Sequence, residues 1–443
     1  MLFARAWLPA LLCALSFVRP VAAMDLMEMY EVAVVNNEDI LVARDAALAT
    51  AEAVPQARAA LLPSIGIQVS RSMVHQKRTV RGTKFPSEKY DLESDAIQLL
   101  QPVFRPGLWT ELRRARHMTS GAEAEIDLAR RQVAMRMVEA FLKQAWSEER
   151  RQRVAEEIKR REVEINGAHA AIAAGTGTRV TVDEAEADIA RLHADYLTVQ
   201  LACAQQLAAL RAAVGQELPP VSPIDWTRVT PEEFSPLPLE TLLAQAEKSY
   251  PLFNGLRAAS AAARSALLTA RANHLPTMDV IARLSTDSGS NPYFADNGVD
   301  QGSIGLQVQV PIFSGGELFS KDREAAARLS QQEDTYLKEK RDISLTMQQA
   351  HDAVTTGIAQ VRALERAIRA ANSSVESTNR GIVAGIRTTL DRIVVERQRY
   401  ELELAQAEHR YAMLKAWFEL QTLAGEDLRE ALRKLDATLE WRG

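Results

Sequence analysis

VQVPIFSGGELFSKDREAA, residues 308–326, passes from an alternating strand pattern through a proline and two glycines into a charged helical pattern. LQPVFRPGLWTELRRA, residues 100–115, has the same plan about 210 residues earlier. Each stretch predicts a strand that turns into a helix, because proline ends strand pairing and glycine permits a sharp change of direction. The residues that would make these two joints are Pro102, Pro106, Gly107, Pro311, Gly315 and Gly316.

The rest of the chain also contains an internal repeat. Each half has the order helix, strand, strand, long helix, Gly-rich turn and helix, and a glycine follows the last helix of each half at 215 and 425. We therefore expect a first structural repeat over residues 24–215 and a second over 239–425, with a C-terminal segment at 426–443.

The first 23 residues differ in composition from the rest of the chain. Arg5 precedes an apolar run, and small residues end it, which is typical of a secretory signal peptide over residues 1–23. The run is too short for a membrane anchor. This leader contains two arginines and no acid, so the remaining chain has 51 basic and 58 acidic side chains and a net charge of −7. That balance argues against a nucleic-acid partner. Cys203 is then the one remaining cysteine, and no disulfide within the chain is expected.

The predicted helices have two distinct lengths. Shorter ones are expected over 25–61 and 239–274, and very long ones over 108–174 and 317–384. At 1.5 Å per residue, each long helix spans about 100 Å. Two short helices placed end to end match one long helix, which indicates an antiparallel coiled-coil packing. Separate ordinary bundles are the alternative.

A proline-rich segment, residues 216–238, separates the halves and cannot hold a long helix. It is either a flexible linker or a small ordered region. Trp226 and Phe234 need to be buried, which favours the ordered region.

Four segments alternate as strands do, at 64–70, 95–103, 277–285 and 303–311. Four strands are too few to close a barrel, since about eight are needed. Either they form a small soluble sheet, or three chains pool them into a twelve-stranded barrel. Their alternation and length of near ten residues favour membrane strands. Aromatic residues also collect near the strand ends: Phe85, Tyr90, Phe104, Trp109, Tyr293, Phe294, Phe313 and Phe319.

No enzyme, metal or cofactor motif is found. The seven histidines have no metal-ligand spacing, and the chain has neither a P-loop nor a GxSxG motif. The many Glu and Arg residues at helical spacing are interpreted as solvent-exposed faces with i,i+4 pairs.

The duplicated order, the LLQPVFRPG and VPIFSGG joints and the VAGIRTTLD turn at 383–391 resemble the TolC family of outer-membrane channel proteins. The resemblance covers nearly the whole chain after the leader. It implies a fold that is mainly α with membrane β: a homotrimer with a twelve-stranded barrel and a long α-helical tunnel in the periplasm. It further implies a periplasmic adaptor and an inner-membrane transporter, either ABC-type or proton-driven, as partners, with outer-membrane lipid around the barrel.

The same resemblance places functional residues at the periplasmic tip. It implies that Asp391 belongs to an acidic ring at the aperture and that Arg387 is part of a latch. In the first half, Thr181 stands where an aspartate is common, with Asp183 two residues later. For Asp391 the alternative is a solvated acid at a helix N-terminus. Glycines that form the tip turns, where an adaptor would dock, are Gly175, Gly177 and Gly385.

Two function classes are consistent with these patterns. The first is an outer-membrane exit duct for type I protein secretion or small-molecule efflux. The absence of a cysteine at the cleavage site separates the chain from many lipidated drug-efflux channels and favours secretion. The second class is a periplasmic coiled-coil adaptor of an export complex, which would share the leader and the long helices but would not need four membrane-length strands.

Overall fold

Two very long helices dominate the protein. The computed structural model describes residues 25–175, 178–221, 223–226, 229–289 and 297–438, so the predicted leader and Gly177 lie outside the described residues. The long helices are α4 (Pro106–Ala173) and α8 (Glu317–Val383), both within about two residues of their predicted ends. Among the described residues, no helix is both long and apolar enough to cross a membrane.

Each long helix packs against shorter ones. α5 (Arg179–Val214) follows α4 and runs back along it, and α9 (Thr389–Ala424) does the same along α8. The remaining length of α4 packs against α7 (Pro251–Ala272) of the second half, which also contacts α8. The expected packing of one long helix against two stacked short ones is present: α8 packs against α7 and α9 of its own half, and α4 packs against α5 and also against α7 of the other half.

The helices that precede the strands are divided, where the sequence predicted one continuous helix in each half. The first half has α1 (Leu26–Asn36), α2 (Glu38–Ala51) and α3 (Ala53–Ala59). Between α1 and α2, the Asn37 side chain caps α2 through the Asp39 amide and donates to the Ala213 carbonyl at 3.0 Å.

The second half has α6 (Leu239–Ser249), which ends before α7 begins at Pro251. Proline lacks the amide hydrogen that a continuous helix needs, and it is favoured in the first turn of a new helix.

The strands form one antiparallel sheet in the order β1 (Ser64–Gln76), β4 (Glu88–Phe104), β5 (Thr277–Gly289) and β6 (Asn297–Gln309). A two-stranded hairpin, β2 (Thr79–Val80) and β3 (Thr83–Lys84), joins the first two strands. The four strands have 13 to 17 residues, longer than predicted, because pairing continues through polar residues where the apolar alternation has ended.

One face of the sheet is apolar and exposed. Ile67 pairs with Ile97, which pairs with Leu284 on the next strand. These side chains are 75%, 48% and 65% exposed. Large apolar side chains this exposed are unusual on a soluble protein. They mark a surface that a partner protein or a lipid membrane covers. Of the aromatic residues grouped near the strand ends, Tyr293 and Phe294 lie outside the described residues.

The two strand-to-helix joints differ in construction. In the first, one residue, Arg105, separates the end of β4 from α4, which begins at Pro106. The register of the β4–β5 pairing shifts just after Pro102. Gly107 lies in the first turn of α4 with an ordinary negative φ, so the expected glycine-assisted turn is not used there.

In the second joint, seven residues separate β6 from α8. Pro311 follows the end of the strand, and Gly315 and Gly316 have φ values of 60° and 86°. Such left-handed conformations favour glycine. The glycine-assisted change of direction expected at both joints is therefore found in the second.

The main core lies midway along the helices. Phe141 of α4 and Trp417 of α9 are essentially buried there, and Phe234 of the proline-rich segment packs edge-on against Trp417 at 5.2 Å between ring centroids. The described part of residues 216–238 is thus ordered against the helices. A last helix, α10 (Leu428–Thr438), also joins this core, and its Asp436 carboxylate accepts from the Leu26 and Met27 amides at 2.9 Å.

Candidate functional site: the helical tip

Two turns at the ends of the long helices form the tip of the molecule. Each turn reverses the chain within a few residues, between α4 and α5 and between α8 and α9. Gly175 and Gly385 occupy matching places with φ values of 73° and 71°. A side chain at either position would have room but would strain the backbone, so glycine is required by conformation. Gly177 lies outside the described residues.

Asp391 caps the start of α9. One of its carboxylate oxygens accepts from the Thr388 amide at 2.8 Å and from the Thr388 hydroxyl at 2.9 Å, while the Asp391 amide donates back to that hydroxyl at 3.2 Å. This is a reciprocal capping box. The hydrogen bond from the Thr388 amide, with help from its hydroxyl and from Arg387, lowers the pKa of Asp391. Asp391 is therefore held as an anion at the tip.

The matching position in the first half is uncharged, and no described side chain caps the start of α5. Thr178 and Thr181 stand 210 residues before Thr388 and Asp391, and their hydroxyls lie 2.8 Å apart. Asp183 lies two residues further along α5, 3.7 Å from Arg179, with both side chains well exposed. A single chain therefore contributes an acidic cap at the start of α9 and a pair of threonine hydroxyls at the start of α5.

Arg387 lies over the preceding helix end. Its guanidinium is 3.6 Å from the Asp391 carboxylate, and its amide donates to the Gly381 carbonyl at 3.1 Å. Gly381 allows this approach: a methyl group there would come within 2.7 Å of Arg387 Cγ. The sequence analysis did not identify Gly381, although the sequence has this glycine four residues before Gly385.

A cleft of about 1080 Å³ lies just above the tip, between the two coils. Thr181 of the first half and Arg387 of the second half both line it, as does Ile382. The structure thus brings together two of the residues that the sequence singled out. Asp391, Asp183 and the turn glycines do not line this cleft.

A buried arginine joins the two coils beside this cleft. Arg161 of α4 is 2% exposed and is surrounded by four carboxylates on three helices. These are Glu157 at 2.9 Å, Glu164 at 2.8 Å, Asp188 of α5 at 3.5 Å and Glu396 of α9 at 3.7 Å. Three of these carboxylates also pair with a second arginine. Glu157 pairs with Arg160, Glu164 with Arg392 and Asp188 with Arg191.

Glu396 is the least compensated member of this group. Its one ion-pair partner within the described chain is Arg161, and it faces the Glu164 carboxylate. Burial, and then the interaction with Glu164, raise the pKa of Glu396 to about 7, against the opposing effects of Arg392 and Arg161. Near neutral pH the Glu396 carboxyl is therefore partly protonated.

The sequence interpretation of these charges was wrong in one respect. The Glu and Arg residues near 157–164 were interpreted as a solvent-exposed face, whereas Arg161 and Glu157 are buried. Their i,i+4 pairing is present. The available signal was the run of Glu157, Arg161 and Glu164 on one helical face, but it does not reveal which neighbouring helix covers that face.

Comparison with known proteins places this architecture in a family. The model of the outer membrane efflux protein family matches residues 29–216 and 242–426. This match confirms the resemblance to TolC-family channels. Since the family consists of outer-membrane transport proteins, the adaptor class is set aside.

Individual relatives are distant but nearly full-length. The proteases secretion protein PrtF of Dickeya chrysanthemi is 24% identical, over 91% of this chain and 88% of its own. The alkaline protease secretion protein AprF of Pseudomonas aeruginosa is also 24% identical, over 91% and 85%. The crystal structure of the outer membrane protein VceC of Vibrio cholerae superposes with a TM-score of 0.77 at 20% identity, over 91% and 96%. The chain therefore belongs to the outer membrane efflux protein family: it is an outer-membrane export channel whose helical part extends into the periplasm.

Proposed function

We propose that this protein is the outer-membrane exit duct of a type I protein secretion system. The observation that carries the proposal is the similarity, across nine-tenths of the chain, to two proteins named for protease secretion. An inner-membrane transporter would supply the energy, and a periplasmic adaptor would connect it to the helical tip. Small-molecule efflux is the second candidate, favoured by the fold shared with VceC and by the family description.

The working unit in this proposal is a trimer. In the described sheet, β1 and β6 each have a neighbour on one side only. Within a bilayer an open edge leaves backbone groups unpaired, which is costly. Pairing β6 of one chain with β1 of the next in a closed ring of three gives twelve strands. The exposed apolar face of the sheet would then contact lipid.

The tip is the proposed aperture. Three-fold symmetry would bring three Asp391 carboxylates near one axis, and their capped, ionised state supports an acidic ring that attracts cations. The capping role of Asp391 and a place in such a ring are compatible, because a cap uses one of the two oxygens. Arg387, which contacts Asp391, is the proposed latch that keeps the aperture closed.

Adaptor docking is proposed for the turns themselves. Val383 and Ile386 are 91% and 80% exposed beside Gly385. Apolar side chains this exposed at the end of a charged coil suit a partner that covers them. Residues 24–215 and 239–425 are the proposed structural repeats, and the described parts of residues 216–238 and 426–443 pack around their middle.

Complementation tests the choice of cargo. A Dickeya chrysanthemi strain that lacks PrtF is given this chain, and protease activity is measured in the culture medium. We expect secretion to be restored in part. Dye accumulation, measured in a strain that lacks its own efflux channel, tests the other candidate. Restored dye efflux without any protease in the medium would make small-molecule export the function.

A further inference from the structure

The hairpin that joins β1 and β4 has an unusual turn. Arg81 and Gly82, between β2 and β3, have φ values of 50° and 84°. Two successive left-handed residues define the tight turn that best fits a two-residue hairpin, and its first position is normally Asn, Asp or Gly. Arg81 is the one non-glycine residue with positive φ in the described chain. A strained backbone thus holds a guanidinium at the end of the hairpin.

The hairpin is strongly basic, with far more cations than acids. Five cationic side chains lie in residues 77–89 against a single acid in that stretch, and all five are exposed. None of them forms an ion pair with a residue whose side chain the structure describes; they are Lys77, Arg78, Arg81, Lys84 and Lys89. Nearby Arg71, by contrast, contacts Asp95 at 2.6 Å and Glu93 at 3.4 Å.

The position of the hairpin relative to the membrane follows from the length of β1. Ile65, Ile67, Val69 and Met73 lie on the exposed apolar face, which Arg71 interrupts. β1 then continues to Gln76, which is three residues past Met73, or about 10 Å along the strand. Since the helices leave the other end of the sheet into the periplasm, the hairpin lies beyond the apolar band on the outer side of the membrane.

We propose that this hairpin, residues 77–89, binds the phosphate groups of the glycolipid in the outer leaflet of the outer membrane. Lysine and arginine are the usual phosphate ligands. Each basic residue close to an anionic lipid surface adds to the binding free energy of the protein for that surface. The rigid turn would hold Arg81 toward the phosphate layer. The inference depends on the outer-membrane location alone and not on which cargo the channel carries.

A matched pair of variants tests it. The loop variant carries R78Q, R81N and K84Q; asparagine tolerates the left-handed conformation at residue 81. The control variant carries R341Q, R366Q and R369Q, which remove three exposed cations from α8 that have no ion pair in the described chain. Each full-length protein is purified in neutral detergent and titrated with bisphosphorylated lipid A, and bound lipid is counted by native mass spectrometry.

We expect the loop variant to bind lipid A about 10-fold to 100-fold more weakly than the wild type, and the control variant to bind as the wild type does. Lipid A without its phosphates should bind the wild type more weakly than intact lipid A does, by a similar factor. Equal affinity of the wild type and the loop variant, or equal binding of the stripped lipid, would overturn the proposal. Preference for polyglutamate over lipid A would overturn it too, by indicating an acidic polypeptide as the partner.

A further measurement uses only the wild type, so it does not depend on folding of the variants. At about 1 M salt the Debye length falls to about 3 Å, and exposed charge pairs are largely screened. Lipid A binding by the wild type should therefore drop steeply between about 0.1 M and 1 M salt. Affinity that stays constant over this range would count against phosphate recognition by the hairpin.

Discussion

Arg105 and Asp279 form a two-pronged ion pair at the base of the sheet. Arg105 Nε lies 2.7 Å from Asp279 Oδ1, and Nη2 lies 2.5 Å from Oδ2. Arg105 is the residue between β4 and α4, and Asp279 is near the start of β5, so the pair fastens the first joint to a strand of the second half. The Asp279 side chain is 7% exposed and that of Arg105 is 38% exposed.

Removing this carboxylate should destabilise the protein. Asp279→Ala leaves the partly exposed Arg105 guanidinium without its partner. Because Arg105 is partly exposed, we expect a loss of about 1–3 kcal/mol in the free energy of unfolding rather than the larger loss of a fully buried pair. Thermal unfolding of the detergent-solubilised protein measures it.

Asp287→Ala, on the same strand, is the control and should change the midpoint little. Exchanging the charges, with R105D and D279R together, should recover part of the loss if the pair itself is responsible. An Asp279→Ala protein that unfolds with the wild type would show that the joint is held by other contacts.

Much of the architecture could be predicted because its signals are local. Proline and glycine mark the ends of the long helices and of the tip turns, and these ends fall within about two residues of the predicted positions. The break between α6 and α7 had a local signal in Pro251, which the long helical pattern around it outweighed. The break at Asn37 had one too, because asparagine followed by Glu38 and Asp39 is a common helix start, whereas its hydrogen bond to Ala213 had no local signal.

The contacts between the halves could not be predicted. Arg105 and Asp279 are 174 residues apart, and neither has a pattern that selects the other. The burial of Arg161 likewise depends on α9 lying beside α4, which is decided by the packing of whole coils. Helical periodicity identifies residues that share a face, but it does not identify the helix that covers that face.

Asp391 should contribute to cation selectivity through its charge. Asp391→Asn keeps an oxygen that can cap α9, so it removes the charge with less damage to the turn than alanine. If three such residues form the proposed ring, ion selectivity in planar bilayers should shift away from cations. Thr181→Asp places an acid at the matching position of the first half and should shift selectivity the other way. Unchanged ion selectivity in both variants would contradict the acidic-ring proposal.

Arg387 should restrain the tip. Arg387→Ser removes the contact with Asp391 and the side chain that lies over Gly381. We expect a higher single-channel conductance in planar bilayers, because the turn is then less tightly held. Arg179→Ser, which removes the exposed arginine at the start of α5, is the control and should leave conductance near the wild-type value. No increase in the Arg387 variant would mean that the latch lies elsewhere.

Glu396 should make the junction of the coils sensitive to pH. Its pKa is about 7 in the folded protein against an ordinary value of 4.5, so between these pH values the folded protein binds more protons than the unfolded chain. The free energy of unfolding therefore falls as pH rises from about 4.5 to 7 and then levels off.

Glu396→Gln tests this directly, because glutamine stays neutral beside Glu164 at every pH. Relative to the wild type, the variant should become more stable as pH rises from about 5 to 8, by about 1–3 kcal/mol at the upper end. The measurement is the unfolding midpoint at each pH in detergent, with the exposed Glu376→Gln as a control whose curve should follow the wild type. If the Glu396→Gln and wild-type curves stayed parallel across this range, the carboxylate would be ionised throughout, and the coils would be joined by Arg161 and its other partners.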